Sequence, residues 1–212
     1  MATYSLQLFP LQTVLYPHCI LPLHIFEPRY RTMIKMCLEH HVPFGIVQVA
    51  NGQLELEGEH PRNYEVGTIA KITNVIEFDD GRMFINTYGG NRFRVLESAY
   101  DEDVLTARVE TYSDEAASPT GLLEVRDEVM REFLKYWQLL ECVMNRDLGK
   151  LELPDDAMVL SFLIPSVLHV QPELKQALLQ KRTTRERLEL IYELLGEEIE
   201  KLRDLMRDGR EK

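Results

Sequence analysis

The chain has 212 residues, with 24 Lys and Arg against 35 Asp and Glu and a formal net charge of −11 at pH 7. Both parts of the chain are acidic. Residues 1–113 contain nine Lys and Arg and 14 Asp and Glu, a net charge of −5, and residues 114–212 contain 15 and 21, a net charge of −6. Such a chain repels polyanions, which argues against nucleic acid and anionic membrane surfaces as partners. Its length and 45% apolar share suffice for one large core or two smaller ones.

The first 26 residues contain no Asp, Glu, Lys or Arg, as a signal peptide or a membrane span would. However, no basic segment precedes them, and Pro10, Pro17 and Pro22 interrupt any apolar helix. We therefore expect buried structure here. Cys19, Cys37 and Cys142 are too far apart for a metal-ligand motif, and they predict reduced, buried thiols in a cytoplasmic protein.

The first part of the chain has an apolar period of two, which is typical of β-strands. Asp79–Gly81 is a tight-turn signal that predicts a hairpin. The predicted strands lie around Leu6–Leu8, Leu21–Ile25, Phe44–Val49, Thr68–Phe78, Arg82–Tyr88, Arg92–Leu96 and Leu105–Tyr112. A set of six to eight strands predicts a small barrel, since closure removes exposed sheet edges.

One helix is predicted between these strands. Pro28 suits its first turn, and Pro43 ends it. Helical spacing places the following residues on one face: Tyr30, Met33, Ile34, Cys37, Leu38 and His41.

After Ser113 the apolar period changes to about 3.6, which predicts helices and a division into 1–113 and 114–212. The predicted starts are Ser118-Pro119, Pro154-Asp155, Pro172-Glu173 and a capping box at Thr183–Glu186, with the second helix ending before Pro165. The apolar stripes are Leu122, Val125, Val129, Phe133, Trp137 and Leu140 in the first helix, and Leu188, Ile191, Leu195, Leu202 and Leu205 in the last. The last stripe predicts either packing onto the Leu122–Leu140 helix or a dimer contact, so the expected state is a monomer or a weak dimer.

Motifs for catalysis are missing from the sequence. Gly149-Lys150 has Met144 where a P-loop needs its first glycine, so ATP hydrolysis is not expected. There is no G-x-S-x-G or H-E-x-x-H pattern. Cys19 between His18 and His24 favours a chance grouping over a nucleophile, and His40-His41 favours a helix-end interaction over a metal site. No cofactor and no metal are expected.

The segment Phe9–Met33 resembles the start of Lon proteases. Their pattern is F-P-L-x-x-x-V-L-F-P-G, then L-P-L-x-I-F-E-x-R-Y and a methionine three residues later. The chain departs from it at Tyr16, which replaces phenylalanine, and at His18, which replaces glycine. Histidine tolerates a positive φ less well than glycine.

The resemblance continues almost to the end of the chain. Its further segments are Phe44–Val47, Val66–Ile72, Asp80–Arg82, Gly89–Val95, Lys175–Leu179 and Arg187-Leu188. It implies the fold of the Lon N-terminal, substrate-binding domain: an α+β structure with a PUA-like β-barrel, 1–113, followed by a helical bundle, 114–212. The ATPase and Ser-Lys protease domains of Lon lie beyond this region, so neither activity is implied.

The residues of this motif are expected to specify the fold rather than to contact a ligand. Leu21, Leu23, Ile25 and Phe26 are predicted to lie in the core, and Glu27 and Arg29 to cap a helix or pair with each other. The full set of motif residues to which we assign a structural role is Pro22, Phe26, Glu27, Arg29, Tyr30, Gly67, Gly81 and Arg92.

The resemblance implies a non-catalytic, ATP-independent module that recognises proteins or unfolded polypeptides, as an adaptor or a chaperone-like binder. Two alternatives stay open. One is an enzyme with Cys19 or a carboxylate between the two parts of the chain. The other is an RNA-binding PUA-like protein, which the acidic charge disfavours.

Overall fold

The computed structural model describes residues 3–49, 64–101, 103–116, 118, 120–149 and 152–208. Within these residues the elements are β1 (Thr3–Leu11), β2 (Ile20–Ile25), α1 (Pro28–His40), β3 (Phe44–Gln48), β4 (Val66–Glu77), β5 (Met83–Asp101), β6 (Val104–Thr111), α2 (Leu122–Met144), α3 (Ala157–Val167), α4 (Pro172–Gln180) and α5 (Thr184–Asp208). The predicted α+β class is confirmed.

The strands form one sheet in the order β2-β5-β4-β3-β1-β6, and β5 also pairs with β6. β1 is parallel to β3, and the other pairings are antiparallel. Five strands are therefore joined in a ring of pairings that runs from β5 through β4, β3, β1 and β6 back to β5. Among the strands that the structure describes, β2 pairs with β5 alone and forms an edge.

The strands predicted at Arg82–Tyr88 and Arg92–Leu96 are one strand, β5, of 19 residues. Gly89 and Gly90, which lie between the two predicted segments, are both inside this strand. A Cβ on Gly89 would collide with the carbonyl oxygen of Tyr16, so this glycine permits a close backbone approach within a continuous strand.

Two apolar clusters occupy opposite faces of β1. Leu6 and Leu8 point into one, and Phe9 points into the other. The first cluster is completed by Val47, Phe93, Leu105, Ala107 and Val109. The second contains the buried face of α1 and inward residues of β2, β4 and β5, with the Phe9 and Tyr30 rings 4.2 Å apart.

The predicted helix is α1, and Pro28 occupies its first turn. Tyr30, Met33, Ile34 and Cys37 are buried as predicted. His41 does not share their face, because it is the C-cap, is exposed and has a left-handed φ of 53°. This conformation turns the chain out of the helix and ends the apolar stripe.

By internal contacts the chain divides into two units, residues 1–113 with 171–180 and residues 114–170 with 181–212. The sequence grouped α4 with the other helices, whereas its contacts place it with the strands. Side-chain hydrogen bonds make this connection: Gln176 Nε2 donates to Val66 O (2.9 Å), and Arg92 Nη1 donates to Leu179 O (2.5 Å). The Tyr112 hydroxyl also donates to Gln180 O (2.8 Å).

Two helix boundaries of the second unit differ from the prediction. α2 begins at Leu122 after Gly121, whose φ is 70°, and Ser118 Oγ instead contacts Thr120. Pro119, the predicted first helical residue, lies outside the described residues. Pro165 lies inside α3 near its end, where a missing N–H affects only the last turn.

The capping box before α5 is confirmed. Glu186 N–H donates to Thr183 Oγ1, and Thr183 N–H donates to Glu186 Oε2, both at 3.1 Å. Of the predicted α5 stripe, Leu188, Ile191, Leu195 and Leu202 are buried, and α5 packs on α2 within the second unit. Leu205 is exposed, so its assignment to the core stripe was wrong.

Tyr16 yields a pH-dependent prediction. Its side chain is 1% exposed, and its hydroxyl donates to Lys175 O at 2.7 Å. Burial, and secondarily the Cys19 thiolate, raise the pKa of Tyr16 well above its usual value. Above pH 10 the unfolded chain ionises this phenol while the folded chain keeps its proton, so stability falls as pH rises, by up to about 1.4 kcal/mol per pH unit.

We therefore expect Tyr16→Phe to make the free energy of unfolding less dependent on pH between about 10 and 12. Urea unfolding at several pH values measures this slope. Tyr192→Phe, at an exposed position, is the matched control. A slope that is the same for Tyr16→Phe and the parent protein would contradict the prediction.

Candidate functional site

An exposed apolar surface covers the outward side of β2, β5 and the second half of β4. We call it the aromatic face and define it by Ile20, Phe26, Ile76, Phe78, Phe84 and Tyr88, together with the more polar Pro22 and His24. Ile20 is 66% exposed, Phe26 57% and Phe84 46%, which is high for large apolar side chains that share one side of a sheet. Contiguous apolar surface of this kind marks interaction sites.

The cross-strand register brings these side chains together. Ile20 lies opposite Tyr88, and His24 lies opposite Phe84. Phe84 in turn lies opposite Ile76 on β4, so one row crosses all three strands. Directly opposed side chains on one side of a sheet are in contact range, which makes the surface continuous across β2, β5 and β4.

Ring contacts fix the centre of the aromatic face. The His24 imidazole stacks on the Phe84 ring, with centroids 4.5 Å apart and planes at 28°. Phe78 meets Phe84 edge-on at 5.4 Å, and Phe26 lies 5.5 Å from His24. Such packed rings present a preorganised apolar surface to a partner.

An irregularity in β4 explains why apolar side chains appear on both of its sides. The register with β5 shifts between Ile72 and Asn74. Ile72 packs against the core before the shift and Val75 does so after it, so Ile76 faces outward. A β-bulge inserts one residue and thereby changes which side the following residues face.

Charged groups beside the aromatic face form pairs with one another. Lys35 Nζ lies 2.8 Å from Glu77 Oε1, and Arg82 Nε lies 2.7 Å from Asp80 Oδ2. The backbone N–H of Arg82, and then its guanidinium, lower the pKa of the Asp80 carboxyl. These four charged side chains are therefore engaged with one another, whereas Lys71 lies opposite Tyr88 of the aromatic face.

The edge of the sheet next to the aromatic face is unsuited to strand addition. β2 is the edge strand, and Pro22 lies in its middle. Proline has no backbone N–H, so an added strand would lack one hydrogen bond at this position. Pro22 therefore disfavours backbone pairing at the middle of this edge.

Several of the motif residues lie around α1. Phe26 is exposed, which corrects its predicted place in the core, whereas Leu23 and Ile25 are buried and Leu21 is half-buried. Alternation along the strand continues through Ile25, so the next side chain points outward. Glu27 is the N-cap residue without a capping side-chain bond, and it pairs with Arg29 at 2.8 Å. Tyr30 is buried.

Gly67, Gly81 and Arg92 lie outside the aromatic face. A Cβ on Gly67 would collide with the carbonyl oxygen of Ile46. Gly81 has a φ of 78° in the β4–β5 turn, and a Cβ there would collide with the Arg31 guanidinium. Arg92 is buried, with its guanidinium carbon 5.0 Å from the Tyr112 ring centre. At all three positions the local backbone or the core packing limits which side chain can be accommodated.

The grouping of Cys19 with His18 and His24 does not form one site in the structure. Cys19 is buried, whereas His18 and His24 are exposed and contact Tyr88 and Phe84. Cys37 is also buried, and burial raises its pKa and keeps the thiol protonated. Cys142 is exposed, so its prediction as a buried thiol was wrong.

A separate cavity of about 260 Å³ adjoins the end of α1. It is lined by Cys37, Leu38, His41, Val42, Pro43, Lys71 and Ile72. Its lining is mostly apolar and contains one lysine, one histidine and the buried thiol of Cys37, but no Asp or Glu. Burial raises the pKa of the Cys37 thiol, which opposes its activation as a nucleophile.

Among the described residues, no group of three or more His, Cys, Asp or Glu side chains is arranged to hold a metal ion. None of the helices described above is long and apolar enough to cross a membrane.

Sequence reasoning missed the aromatic face. It singled out Pro22 and Phe26 as structural residues but did not identify His24, Ile76, Phe78 or Phe84. The available signal was the presence of large apolar residues at both even and odd positions of β4 and β5, which is more than a one-sided strand requires.

Comparison with known proteins decides the family. A family model described as the ATP-dependent protease La (LON) substrate-binding domain matches residues 5–197. The chain belongs to this Lon substrate-binding domain family. The resemblance to Lon N-terminal domains that the sequence motifs indicated is thereby confirmed.

Curated proteins similar to this chain include several that are named Lon protease. "Lon protease 2" of Herpetosiphon aurantiacus is 28% identical over 203 residues, which cover 94% of this chain and 24% of that protein. "Lon protease" of Bacillus thuringiensis is 23% identical over 200 residues, covering 92% and 25%. The chain thus spans about a quarter of the length of these curated relatives.

Two solved structures share the Lon N-terminal fold. The Lon N-terminal domain protein from Xanthomonas campestris superposes with a TM-score of 0.62 at 23% identity, covering 91% of this chain and 98% of that one. The N-terminal domain of the Mycobacterium avium complex Lon protease gives 0.68 at 18% identity, with the same coverages. At these identities the likeness concerns the fold.

Proposed function

We propose that this protein is a non-catalytic recognition module that binds unfolded polypeptide segments through the aromatic face. The observation that carries the proposal is the continuous exposed surface of β2, β5 and the end of β4, whose rings centre on the His24–Phe84 stack. Membership in a family named for substrate binding supports a polypeptide as the occupant. Exposed aromatic and aliphatic residues of an unfolded chain are the chemistry that such a surface complements.

The position of Pro22 also favours the aromatic face over the free edge of β2 as the binding site. Pro22 weakens strand addition at β2, so backbone hydrogen bonds contribute little and side-chain burial dominates. Binding of this type tolerates many sequences, since it needs apolar side chains at loosely defined spacing. An adaptor or chaperone-like role, with proteins as partners and without ATP, is the form that we propose for it.

Two structural proposals accompany this function. The ring of pairings from β5 back to β5 supports a PUA-like barrel in the first unit. Residues 1–113 with 171–180, and 114–170 with 181–212, are proposed as two subdomains. We further propose that the chain is a monomer or a weak dimer and acts in the cytoplasm.

A direct test uses reduced, carbamidomethylated lysozyme as an unfolded probe, with native lysozyme as its folded counterpart. We expect the protein to bind the unfolded probe, measured by fluorescence anisotropy at 0.15 M salt, and to bind native lysozyme far less. Phe84→Thr keeps a β-forming residue but removes the central ring, so affinity should fall about tenfold.

Leu96→Thr is the matched control, because Leu96 is 38% exposed on the same strand but lies outside the aromatic face. It should bind the unfolded probe like the parent protein. The proposal fails if unfolded lysozyme does not bind, or if Phe84→Thr and Leu96→Thr have the same effect.

A further inference from the structure

Three non-glycine residues in the described part of the chain have a positive φ: His18 (64°), His41 (53°) and Asn145 (47°). His41 and Asn145 are the C-caps of α1 and α2, where a left-handed residue is a common way to end a helix. His18 caps no helix. A histidine keeps this strained conformation only where neighbouring contacts stabilise it. Such residues are frequent at functional sites.

The backbone explains why the conformation is required. Cys19 N–H donates to Tyr16 O at 3.2 Å, which closes a β-turn with Pro17 second and His18 third. Turns with proline second and a positive φ third favour glycine at the third position. His18 N–H also donates to Gly89 O, and Gly89 N–H donates to Cys19 O, so the turn is attached to β5.

The side chain explains why a histidine occupies this position. His18 Nδ1 lies 3.1 Å from the Tyr88 hydroxyl, and the two rings meet edge-on with centroids 6.4 Å apart. Tyr88 is the member of the aromatic face opposite Ile20. Glycine would relieve the backbone strain but would leave the Tyr88 ring free to rotate.

We propose that His18 is a positioning residue for polypeptide binding, holding the Tyr88 ring in place at one end of the aromatic face. This inference rests on the proposed function. The histidine imposes a strained turn and in return removes rotational freedom from a binding side chain before the partner arrives. Preorganisation of this kind strengthens binding because less freedom is lost on association.

The changes in Tm and in binding affinity of the variant His18→Gly test the proposal. His18→Gly should raise the Tm by about 2–4 °C, because the strain is relieved. The same variant should bind reduced, carbamidomethylated lysozyme roughly three- to tenfold more weakly. A residue that only supports the fold would not improve stability and weaken binding together.

His41→Gly is the matched control, since it relieves the same kind of strain away from the aromatic face. It should raise the Tm and leave affinity unchanged. Tyr88→Phe keeps the ring but removes the hydroxyl that His18 contacts. Because both residues act through one contact, the double variant His18→Gly, Tyr88→Phe should bind no more weakly than His18→Gly alone.

The two failures are distinguishable. If Phe84→Thr weakens binding and His18→Gly does not, the role of His18 is overturned while the proposed function stands. If neither variant changes the affinity, both are overturned. Equal loss of affinity in His18→Gly and His41→Gly would also overturn the role of His18.

Discussion

Replacing Arg187 by methionine is expected to lower the free energy of unfolding of the second unit by about 3–5 kcal/mol. Arg187 is fully buried, and its guanidinium meets Asp114 through two bonds, of 2.6 and 2.9 Å. It also donates to Ser161 Oγ at 2.9 Å, and its central carbon lies 4.0 Å from the Phe162 ring centre. Methionine fills much of the volume but removes the guanidinium bonds to Asp114 and Ser161.

The single tryptophan, Trp137, lies on α2 in the same unit and reports this transition by fluorescence during urea unfolding. Asp114→Asn in the Arg187→Met background should recover part of the loss, because it removes the negative charge that the Arg187 guanidinium compensates in the parent protein. Lys201→Met is the matched control, since it removes a cation from an exposed pair on α5 and should cost less than about 1 kcal/mol. A loss for Arg187→Met no larger than that of the control would refute a stabilising role for the buried pair.

Adding one methyl group at Gly67 is expected to destabilise the strand-containing unit by about 2–3 kcal/mol. The added Cβ of Gly67→Ala would lie 2.6 Å from Phe93 Cζ and would also overlap the carbonyl oxygen of Ile46. The Phe93 ring is fully buried, and the Ile46 oxygen belongs to the backbone, so neither moves without disturbing the sheet.

Gly90→Ala provides the comparison, because the nearest atom to its added Cβ would be 3.5 Å away, an ordinary contact. That variant should be neutral or slightly stabilising, since alanine has less freedom than glycine in the unfolded chain. Circular dichroism of the strands during urea unfolding measures both variants. Equal stability of the two would show that the close packing at Gly67 is relieved at little cost.

The proposed recognition role divides the motif residues into two groups. One group has packing or backbone contacts within the fold and comprises Glu27, Arg29, Tyr30, Gly67, Gly81 and Arg92, whereas Pro22 and Phe26 lie on the proposed binding surface. Residues conspicuous in sequence are therefore mainly those with strict packing requirements. A binding surface that accepts many unfolded chains needs only apolar character, so its residues carry a weaker pattern.

Local rules determined much of the architecture from sequence. Pro28 in the first turn of α1, the capping box at Thr183–Glu186 and the turn at Asp79–Gly81 depend on neighbouring residues alone, and the structure contains all three. The change from a period of two to one of 3.6 separated strands from helices. The family was identified by a combination of short motifs along the chain.

Only the tertiary structure decided the features that depend on distant residues. Gly89 and Gly90 interrupt no strand, because the Tyr16 backbone lies against Gly89. α4 packs with the strands through Gln176 and other side chains that reach partners far along the chain. The register shift after Ile72 turned Ile76 outward, and the strand pairings placed it beside Phe84 and His24. Periodicity shows that a strand has two sides, but only its pairing with other strands determines which side is covered.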